Sequence, residues 1–430
     1  MLSYEQFIES KRVVLKDSGL SRVPALNSML YDFQQHIDSW ALRKGRASIF
    51  CDCGLGKTPM QLEWAHHVPG RVLILAPLAV AQQTVREGKK FGIDARYDRT
   101  GRVDGKITIT NYEMLEHFDA AQFEGVVLDE SSILKSYSGF FRNQIIETFR
   151  NTPFRLACTA TPAPNDFMEL GNHAEFMGAL TRTEMLSTFF VHDGGDTSKW
   201  RLKRHAEKDF WRWICSWAVM MRKPSDLGFD DGDFILPEIR INDVSVDVNE
   251  PTDGRLFALP AITLEERRKA RATTVQHRAA KIAELVERRP NEPHIVWCNL
   301  NSESEAAANL ISDAVELRGS EDHDEKAAKM LDFSGGGIRV LVTKPSIAGF
   351  GMNWQHCRNV NFLGLSDSYE QFYQATRRCW RFGQKKAVDV NIVTSSTEGA
   401  VTENIKRKER DAAKLYEEMV KACMEVAQCA

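Results

Sequence analysis

Residues 50–58 read FCDCGLGKT and stand between an apolar run at 47–50 and a helix-like segment at 59–65. A strand, a glycine-rich turn and a helix start together form a phosphate cradle. Glycines let backbone N–H groups surround phosphate oxygens, and the helix N-terminus adds a partial positive charge. In such a loop Lys57 reaches the β- and γ-phosphates and Thr58 ligates Mg²⁺.

The turn departs from the full phosphate-loop pattern at Cys51, where that pattern has a glycine. A glycine turn with a solvated lysine is the alternative interpretation, but the strand–turn–helix context favours a nucleotide site. The residues predicted to contact the nucleotide in this loop are Gly54, Leu55, Gly56, Lys57 and Thr58.

Composition sets the broad class of the protein. A length of 430 residues suits two domains, and 43% hydrophobic with 27% charged residues is typical of a soluble globular protein. The net charge of −3 means that nucleic-acid binding would need local basic patches. Nine cysteines without any Cys-x-x-Cys pair predict idle thiols rather than disulfides or zinc ligands. With neither a long apolar run nor a signal-like start, we expect a cytoplasmic protein.

Gln34 lies on an amphipathic segment at 31–40, upstream of the phosphate loop. A glutamine amide donates and accepts at once, and can pair with the N6/N7 edge of adenine. Gln34 is therefore a candidate adenine-binding residue. A surface glutamine is the alternative.

Two adjacent carboxylates, Asp129 and Glu130, follow the apolar strand at 125–128. Asp129 would hold Mg²⁺, and Glu130 would orient and deprotonate the attacking water. A charged loop start is the alternative, but the phosphate loop upstream favours a catalytic pair. Further strands are predicted at 71–76, 106–110 and 155–158, and their alternation with helices implies parallel βαβ units.

The loop at 159–164 reads TATPAP, and its small hydroxyl residues suit an element that senses the nucleotide; a plain turn is the alternative. Residues 199–204 read KWRLKR, a basic and aromatic cluster able to grip a nucleic-acid backbone or to form a solvated face. The nearby tryptophans are predicted to be core residues, and they are Trp211, Trp213 and Trp217.

The second half repeats the alternation, with buried strands predicted at 294–298, 338–343, 359–363 and 388–393. Residues 374–384 read QATRRCWRFGQ, with three arginines within five positions. They could form a solvated face, or they could neutralise the γ-phosphate transition state, a role worth roughly 10³–10⁵ in rate. The C-terminal segment reads as a packing helix.

The ordered set of motifs resembles the superfamily-two helicase core, and within it the Swi/Snf-type DNA translocases. The resemblance runs from about Leu30 to Ile405. Gln34 is similar to the adenine-sensing motif, GLGKT at 54–58 to motif I, and 129–132 to the Asp-Glu-x-His box, with Ser132 in place of the usual histidine. Motif III matches 159–162, and motif IV matches Trp297 and Asn299.

The most specific similarity lies in motif VI. Gln374, Arg378 and Arg381 match its Gln-x-x-x-Arg-x-x-Arg spacing and are followed by the Gly383-Gln384 typical of the Swi/Snf branch. Residues 349–353 are similar to motif V, although Phe350 stands where that family usually has a glycine. Gly351 and Gln374 are thereby candidates for nucleotide contact.

The resemblance implies an α/β fold with two RecA-like lobes, each a mostly parallel sheet flanked by helices, and an ATP site in the cleft between them. Lys57, Asp129, Glu130, Arg378 and Arg381 would be catalytic, with ATP and Mg²⁺ as cofactors. Predicted phosphate-gripping residues, which position nucleic acid without reading its sequence, are Pro77, Thr110, Asn111, Ser346, Lys199, Arg201 and Arg204.

We predict a helical lead-in at 1–30, a first lobe at 31–245 with a helical extension at about 165–225, and a second lobe at 246–430 that ends in a helix. The predicted function is an ATP hydrolase that moves on double-stranded DNA, as a monomer of a compact bacterial or bacteriophage type. The alternatives are an RNA-dependent ATPase, which Gly383-Gln384 disfavours, and a non-catalytic ATP-binding DNA clamp, which the intact catalytic set disfavours.

Overall fold

The computed structural model describes residues 14–135, 139–193, 196–246, 272–349, 352–395 and 399–428. The chain forms two compact units, which we call lobe 1 and lobe 2. Lobe 1 contains the residues up to Asp231 and those from Ala412 onward, and lobe 2 contains Gly232–Asp411. Each lobe is built on its own parallel sheet flanked by helices, so the predicted fold of two RecA-like α/β lobes is confirmed.

Lobe 1 carries a seven-stranded sheet in the order β3-β4-β2-β5-β6-β1-β9, in which every pair is parallel. A separate antiparallel hairpin is formed by β7 and β8. The strands are β1 (Arg46–Cys51), β2 (Val72–Ala76), β3 (Ala95–Tyr97), β4 (Ile107–Asn111), β5 (Gly125–Asp129), β6 (Phe154–Cys158), β7 (Phe190–Asp193), β8 (Asp196–Leu202) and β9 (Ala218–Met221).

Helices cover the sheet of lobe 1. They are α1 (Asp32–Lys44), α2 (Lys57–His67), α3 (Leu78–Lys90), α4 (Phe140–Thr148), α5 (Leu170–Met177), α6 (Arg182–Phe189) and α7 (Glu207–Cys215). Short 3₁₀ turns are Tyr112–His117, Ala120–Gln122, Ser131–Lys135, Phe167–Glu169, Arg204–Ala206 and Pro224–Leu227. Because helices pack on the sheet, its central strands β2, β4, β5 and β6 are buried along their whole length.

The extension predicted to be helical at about 165–225 also contains β7, β8 and β9, so that prediction is wrong for these strands; its aromatic part is core. Trp211, Trp213 and Trp217 are buried, and the Trp213 ring stacks on Phe189 with the centroids 5.2 Å apart. Burial of such large rings is a major apolar contribution to stability. The prediction that the three tryptophans are packing residues is confirmed.

Lobe 2 carries a six-stranded parallel sheet in the order β10-β15-β14-β11-β13-β12. Its strands are β10 (Ile239–Val246), β11 (His294–Cys298), β12 (Ala314–Glu316), β13 (Val340–Thr343), β14 (Asn359–Leu363) and β15 (Val388–Ser395). Its helices are α8 (Val275–Glu287), α9 (Asn301–Leu310), α10 (His323–Gly335), α11 (Pro345–Ala348), α12 (Tyr369–Thr376) and the first part of α13 (Gly399–Gln428); a 3₁₀ turn spans Gly232–Phe234.

The structure divides the chain at other positions than those predicted. β10 falls within the predicted first lobe but belongs to lobe 2, because it pairs with β15 along its whole length. The end of α13 falls within the predicted second lobe but belongs to lobe 1. There Leu415, Tyr416 and Met419 are buried in the hydrophobic core of lobe 1.

The described part of the lead-in, residues 14–30, contains no helix, so the prediction of a helical lead-in is wrong for that part. Instead, backbone N–H groups of Ser18, Gly19 and Leu20 donate to carbonyls at the end of α1. These carbonyls have no partner within their own helix, and the lead-in satisfies them. None of the described helices combines the length and apolarity that a membrane crossing requires.

Candidate active site

The phosphate loop connects β1 to α2 in the left-handed backbone conformations that only glycine adopts without strain. Gly54 has φ 93° and Gly56 has φ 79°. A Cβ atom at Gly56 would lie 2.2 Å from the Gln34 side-chain nitrogen, so this position also has no room for a side chain. Both glycines of the motif are therefore favoured by conformation, and Gly56 is favoured by space as well.

Lys57 is the first residue of α2, and its side chain folds back over the loop. Its Nζ donates to the carbonyls of Cys51 at 2.9 Å and Asp52 at 3.4 Å. Burial by itself would lower the pKa of Lys57, but Cys53 and Glu130 nearby raise the pKa above its ordinary value. The loop thus holds an ammonium group at the start of a helix, where phosphate oxygens would bind.

Gln34 supports the phosphate loop directly. Its Oε1 accepts from the backbone N–H of Tyr31 at 3.0 Å, and its Nε2 donates to the carbonyl of Leu55 at 2.9 Å. The residue is 3% exposed. In this structure the amide therefore ties α1 to the loop, and a contact of Gln34 with adenine stays a prediction.

Asp129 ends β5 and is held from two sides. The Gln61 side-chain nitrogen donates to its Oδ1 at 2.7 Å, and the Tyr112 hydroxyl donates to its backbone carbonyl at 2.7 Å. Gln61 lies one helical turn beyond Lys57 on α2. The i, i+4 spacing from Lys57 is a sequence signal for Gln61, whereas nothing local to Tyr112 points to its role.

Glu130 has φ 54°, a left-handed conformation that is rare for a residue with a side chain. The Thr159 hydroxyl donates to its Oε2 at 3.5 Å, and the same hydroxyl accepts from the backbone N–H of Thr161 at 3.1 Å. The loop at 159–164 therefore contacts the candidate general base, as a coupling element would.

The residues present fit a magnesium ion bound together with phosphates. Mg²⁺ uses one or two carboxylates, a hydroxyl and substrate oxygens rather than a dedicated protein cage. Asp129 supplies a buried carboxylate beside Gln61, and Thr58 precedes Gln61 on the same helix. Among the described residues no group of three or more His, Cys, Asp or Glu side chains could hold a metal by itself.

The candidate residues of lobe 2 cluster at the end of α12. The Nε of Arg378 donates to the carbonyl of Gln374 at 3.1 Å, and its Nη1 donates to that of Met352 at 3.4 Å. The Gln374 amide is buried, and neither of its polar atoms has a hydrogen-bond partner among the described residues. Such a buried amide suits a ligand contact.

The three arginines of 377–381 differ in their surroundings. The Arg377 guanidinium lies over the ring of Trp380 at 4.2 Å and over that of Tyr373 at 5.3 Å, so it packs within lobe 2. Arg381 follows the helix and is half-buried. Gly351 lies outside the described residues. That the sites of the two lobes meet around ATP stays a prediction.

The predicted nucleic-acid contacts divide into exposed and buried residues. Arg201, Arg204 and Ser346 are exposed and Pro77 is half-buried, whereas nothing is described of the Lys199 side chain. Thr110 and Asn111 are buried in lobe 1, where Asn111 accepts from the Tyr97 hydroxyl and donates to Glu113. Burial within the sheet removes Thr110 and Asn111 from the surface that a nucleic acid can touch in this structure.

Residues 277–383 match the family model of the helicase conserved C-terminal domain. This part of lobe 2 is therefore similar to helicase C-terminal domains. The matched range includes the residues predicted to form motif IV, Trp297 and Asn299, and motif VI, Gln374, Arg378 and Arg381. The predicted resemblance to a helicase core is confirmed.

Among solved structures, the chain is similar to the SWI2/SNF2 ATPase core of Sulfolobus solfataricus, which was solved in complex with double-stranded DNA. The sequence identity is 17% and the TM-score is 0.43, and the match covers 86% of this chain and 88% of the other. No curated protein matches this chain in sequence.

Proposed function

We propose that this helicase-like chain hydrolyses ATP and uses the energy to move along double-stranded DNA. The observation that carries the proposal is the assembly in lobe 1: Lys57 at the start of α2, Asp129 bonded to Gln61 of that helix, and Glu130 beside Thr159. In the same chain, residues 277–383 of lobe 2 match the family model of the helicase conserved C-terminal domain.

In the proposed reaction, a water oxygen attacks the γ-phosphorus while the bond from that phosphorus to the bridging oxygen of ADP breaks. Glu130 accepts the proton of the water, and Lys57 balances charge on the β- and γ-phosphates. Thr58 and Asp129 would hold Mg²⁺, which neutralises the same phosphate charge when it is bound. Arg378 and Arg381 would stabilise the transferring group, a role for arginine worth roughly 10³–10⁵ in rate.

The choice of duplex DNA rests on the similarity of residues 374–384 to the Swi/Snf motif VI. Gln384 is buried, and its amide donates to the carbonyls of Cys357 at 3.2 Å and Cys379 at 3.3 Å. The residue thereby fixes the end of the arginine segment. We further propose that the protein acts as a monomer in the cytoplasm of a bacterium or a bacteriophage-infected host, which light scattering on the purified protein would check.

The first experiment measures steady-state ATP hydrolysis without nucleic acid and with duplex DNA, single-stranded DNA or RNA. Lys57→Ala and Arg381→Ala should lose at least about 10³-fold in kcat. Lys90→Ala is the matched lysine control, because Lys90 is exposed at the end of α3. Stimulation by duplex DNA that disappears in the two site variants supports the proposal. Stimulation by RNA alone would change the substrate, and no turnover would favour an ATP-binding clamp.

A second experiment tests movement separately from hydrolysis. A third DNA strand is annealed to a duplex, and its release is followed with and without ATP. A translocase on duplex DNA displaces the third strand without separating the duplex. ATP hydrolysis without displacement would contradict movement and leave a DNA-stimulated ATPase.

A further inference from the structure

Helix α5 holds the 3₁₀ turn Ser131–Lys135 through two consecutive buried polar residues. The Asn172 amide donates to the carbonyls of Leu134 at 2.7 Å and Lys135 at 3.2 Å. His173 Nε2 lies 3.1 Å from Ser131 Oγ in a hydrogen bond whose direction depends on the tautomer. Asn172 is 1% exposed and His173 is 0% exposed. One helix thus grips the turn near its beginning and at its end.

The turn begins directly after Glu130, whose backbone is in the left-handed region. A residue with a side chain keeps such a conformation only where the surrounding structure imposes it. On the N-terminal side, the Tyr112 hydroxyl bonds the carbonyl of Asp129. On the C-terminal side, the bond of His173 is to Ser131, the residue next to Glu130. Both chain neighbours of the strained residue Glu130 are therefore held by side-chain hydrogen bonds.

The His173 ring is itself oriented by packing. It meets the ring of Phe50 edge to face, with centroids 5.2 Å apart and planes at 85°. Phe50 lies in β1, the strand that leads into the phosphate loop. In the chain, α5 follows the loop at 159–164, whose Thr159 contacts Glu130 from the other direction. One continuous segment of chain therefore contacts Glu130 through Thr159 and the turn after it through α5.

We propose that His173, together with Asn172, is a positioning residue for Glu130: by fixing Ser131 and the end of the turn, it keeps the Glu130 carboxylate aimed at the attacking water. This inference rests on the proposed hydrolysis of ATP. It predicts that the loss of the His173–Ser131 bond lowers kcat while ATP binding is kept, because neither residue lies in the phosphate loop.

The test compares three variants in ATP hydrolysis and in equilibrium binding of a fluorescent ATP analogue. His173→Phe keeps a ring against Phe50 but loses the bond, Ser131→Ala removes the partner hydroxyl, and His173→Gln keeps a polar group near the position of Nε2. We expect kcat to fall about 10- to 100-fold in His173→Phe and Ser131→Ala, with KM and ATP affinity within about twofold. His173→Gln should restore most of the rate.

A double variant separates positioning from general damage. If the two residues act through one bond, the combination of His173→Phe and Ser131→Ala loses no more kcat than either change alone. Ser187→Ala is the matched control, because it deletes a serine hydroxyl that donates to the Glu184 carbonyl on the exposed face of α6. If His173→Phe fails to fold, Ser131→Ala still carries the test, since it alters no ring packing.

Amide hydrogen exchange of residues 129–135 gives a readout that needs no turnover. Exchange should quicken in His173→Phe and Asn172→Ala and stay unchanged in Ser187→Ala. Wild-type kcat in His173→Phe and Ser131→Ala, or equal losses of kcat and ATP affinity, would overturn the inference. If the wild type hydrolyses no ATP, the proposed function fails on its own, and unchanged exchange would show that α5 does not hold the turn.

Discussion

The two lobes fix the turns at the carboxyl edges of their parallel sheets with different chemistry. In lobe 1, uncharged side chains of α5 hold the turn after β5. In lobe 2, the fully buried ion pair Arg278–Glu303, with its charged atoms 3.0 Å apart, fixes the backbone after two strands. Arg278 donates to the carbonyl of Leu363 at the end of β14, and Glu303 accepts from the backbone N–H groups of Asn299 and Leu300 after β11.

A buried charge and a buried neutral group respond differently when they are disturbed. An ion pair in the interior gains little net stability over apolar packing, but removal of one partner leaves an uncompensated charge. A neutral group such as an imidazole costs less to bury, yet it resists protonation. Burial lowers the pKa of His173 to about 4. Lobe 2 should therefore be sensitive to a broken pair, and lobe 1 to acid.

The largest loss of stability is expected when the buried ion pair is broken. Arg278→Ala should destabilise lobe 2 by about 3–5 kcal/mol, because Glu303 remains buried without its partner. Urea unfolding followed by the fluorescence of Trp297 and Trp354, both buried in lobe 2, measures the loss. The combination of Arg278→Met with Glu303→Leu should cost much less than the single change.

Arg288→Ala is the control for this prediction, since Arg288 pairs with Glu284 on the exposed face of α8. An exposed pair contributes about 0–1 kcal/mol. A loss for Arg278→Ala no greater than that of the control would contradict the idea that the buried charge decides the outcome.

The second-largest effect concerns how the stability of lobe 1 depends on pH. The unfolded His173 has the ordinary pKa of 6.5 and the folded one about 4. Between these values the unfolded state binds more protons, so stability falls as the pH is lowered from about 6.5 to 4, by up to about 3 kcal/mol. The measurement is the midpoint of urea unfolding across this range.

His173→Phe lacks the titrating group and should lose less stability over the same pH range than the wild type. Its overall stability at pH 7 sets the baseline for the comparison. Parallel pH curves for the two proteins would show that His173 does not resist protonation in the folded state.

The smallest expected effect concerns the last part of α13, which packs into lobe 1. The Tyr416 hydroxyl donates to the carbonyl of Ala160 at 3.2 Å, and the Arg222 guanidinium lies 4.0 Å from the Tyr416 ring centroid. Tyr416→Phe keeps the ring and loses the bond, which should cost lobe 1 about 1 kcal/mol.

Thermal unfolding would detect the change, with Glu425→Gln as the control in the same segment, where Glu425 makes a loose pair with Lys208 at 3.9 Å. If the control variant loses as much stability as Tyr416→Phe, the hydrogen bond to Ala160 makes no measurable contribution of its own to stability. The result would also show whether this neutral bond contributes on the scale of the α5 bonds in the same lobe.

Sequence patterns predicted the parts of the molecule that are local. Apolar runs marked nine strands of the two sheets, and their neighbours Lys57, Asp129 and Glu130 lie as the phosphate-loop and strand-end patterns indicate. Four strands of the two sheets were not predicted: β3 and β12 have three residues each, β9 has four, and β10 faces solvent along much of its length. Strands this short or this polar give too weak a periodic signal, and β9 also lies where a helical extension was predicted.

Two α/β lobes, a glycine-rich loop between β1 and α2 and a strand that ends in two adjacent carboxylates could be read from the sequence, because glycine spacing, apolar runs and adjacent carboxylates act over a few residues. Tertiary packing was needed to show that His173 meets Ser131, that Gln34 holds the loop, that Thr110 is buried and that the last part of α13 packs into the core of lobe 1. These outcomes depend on strand order and packing between distant segments, and no local pattern encodes which distant side chain will arrive.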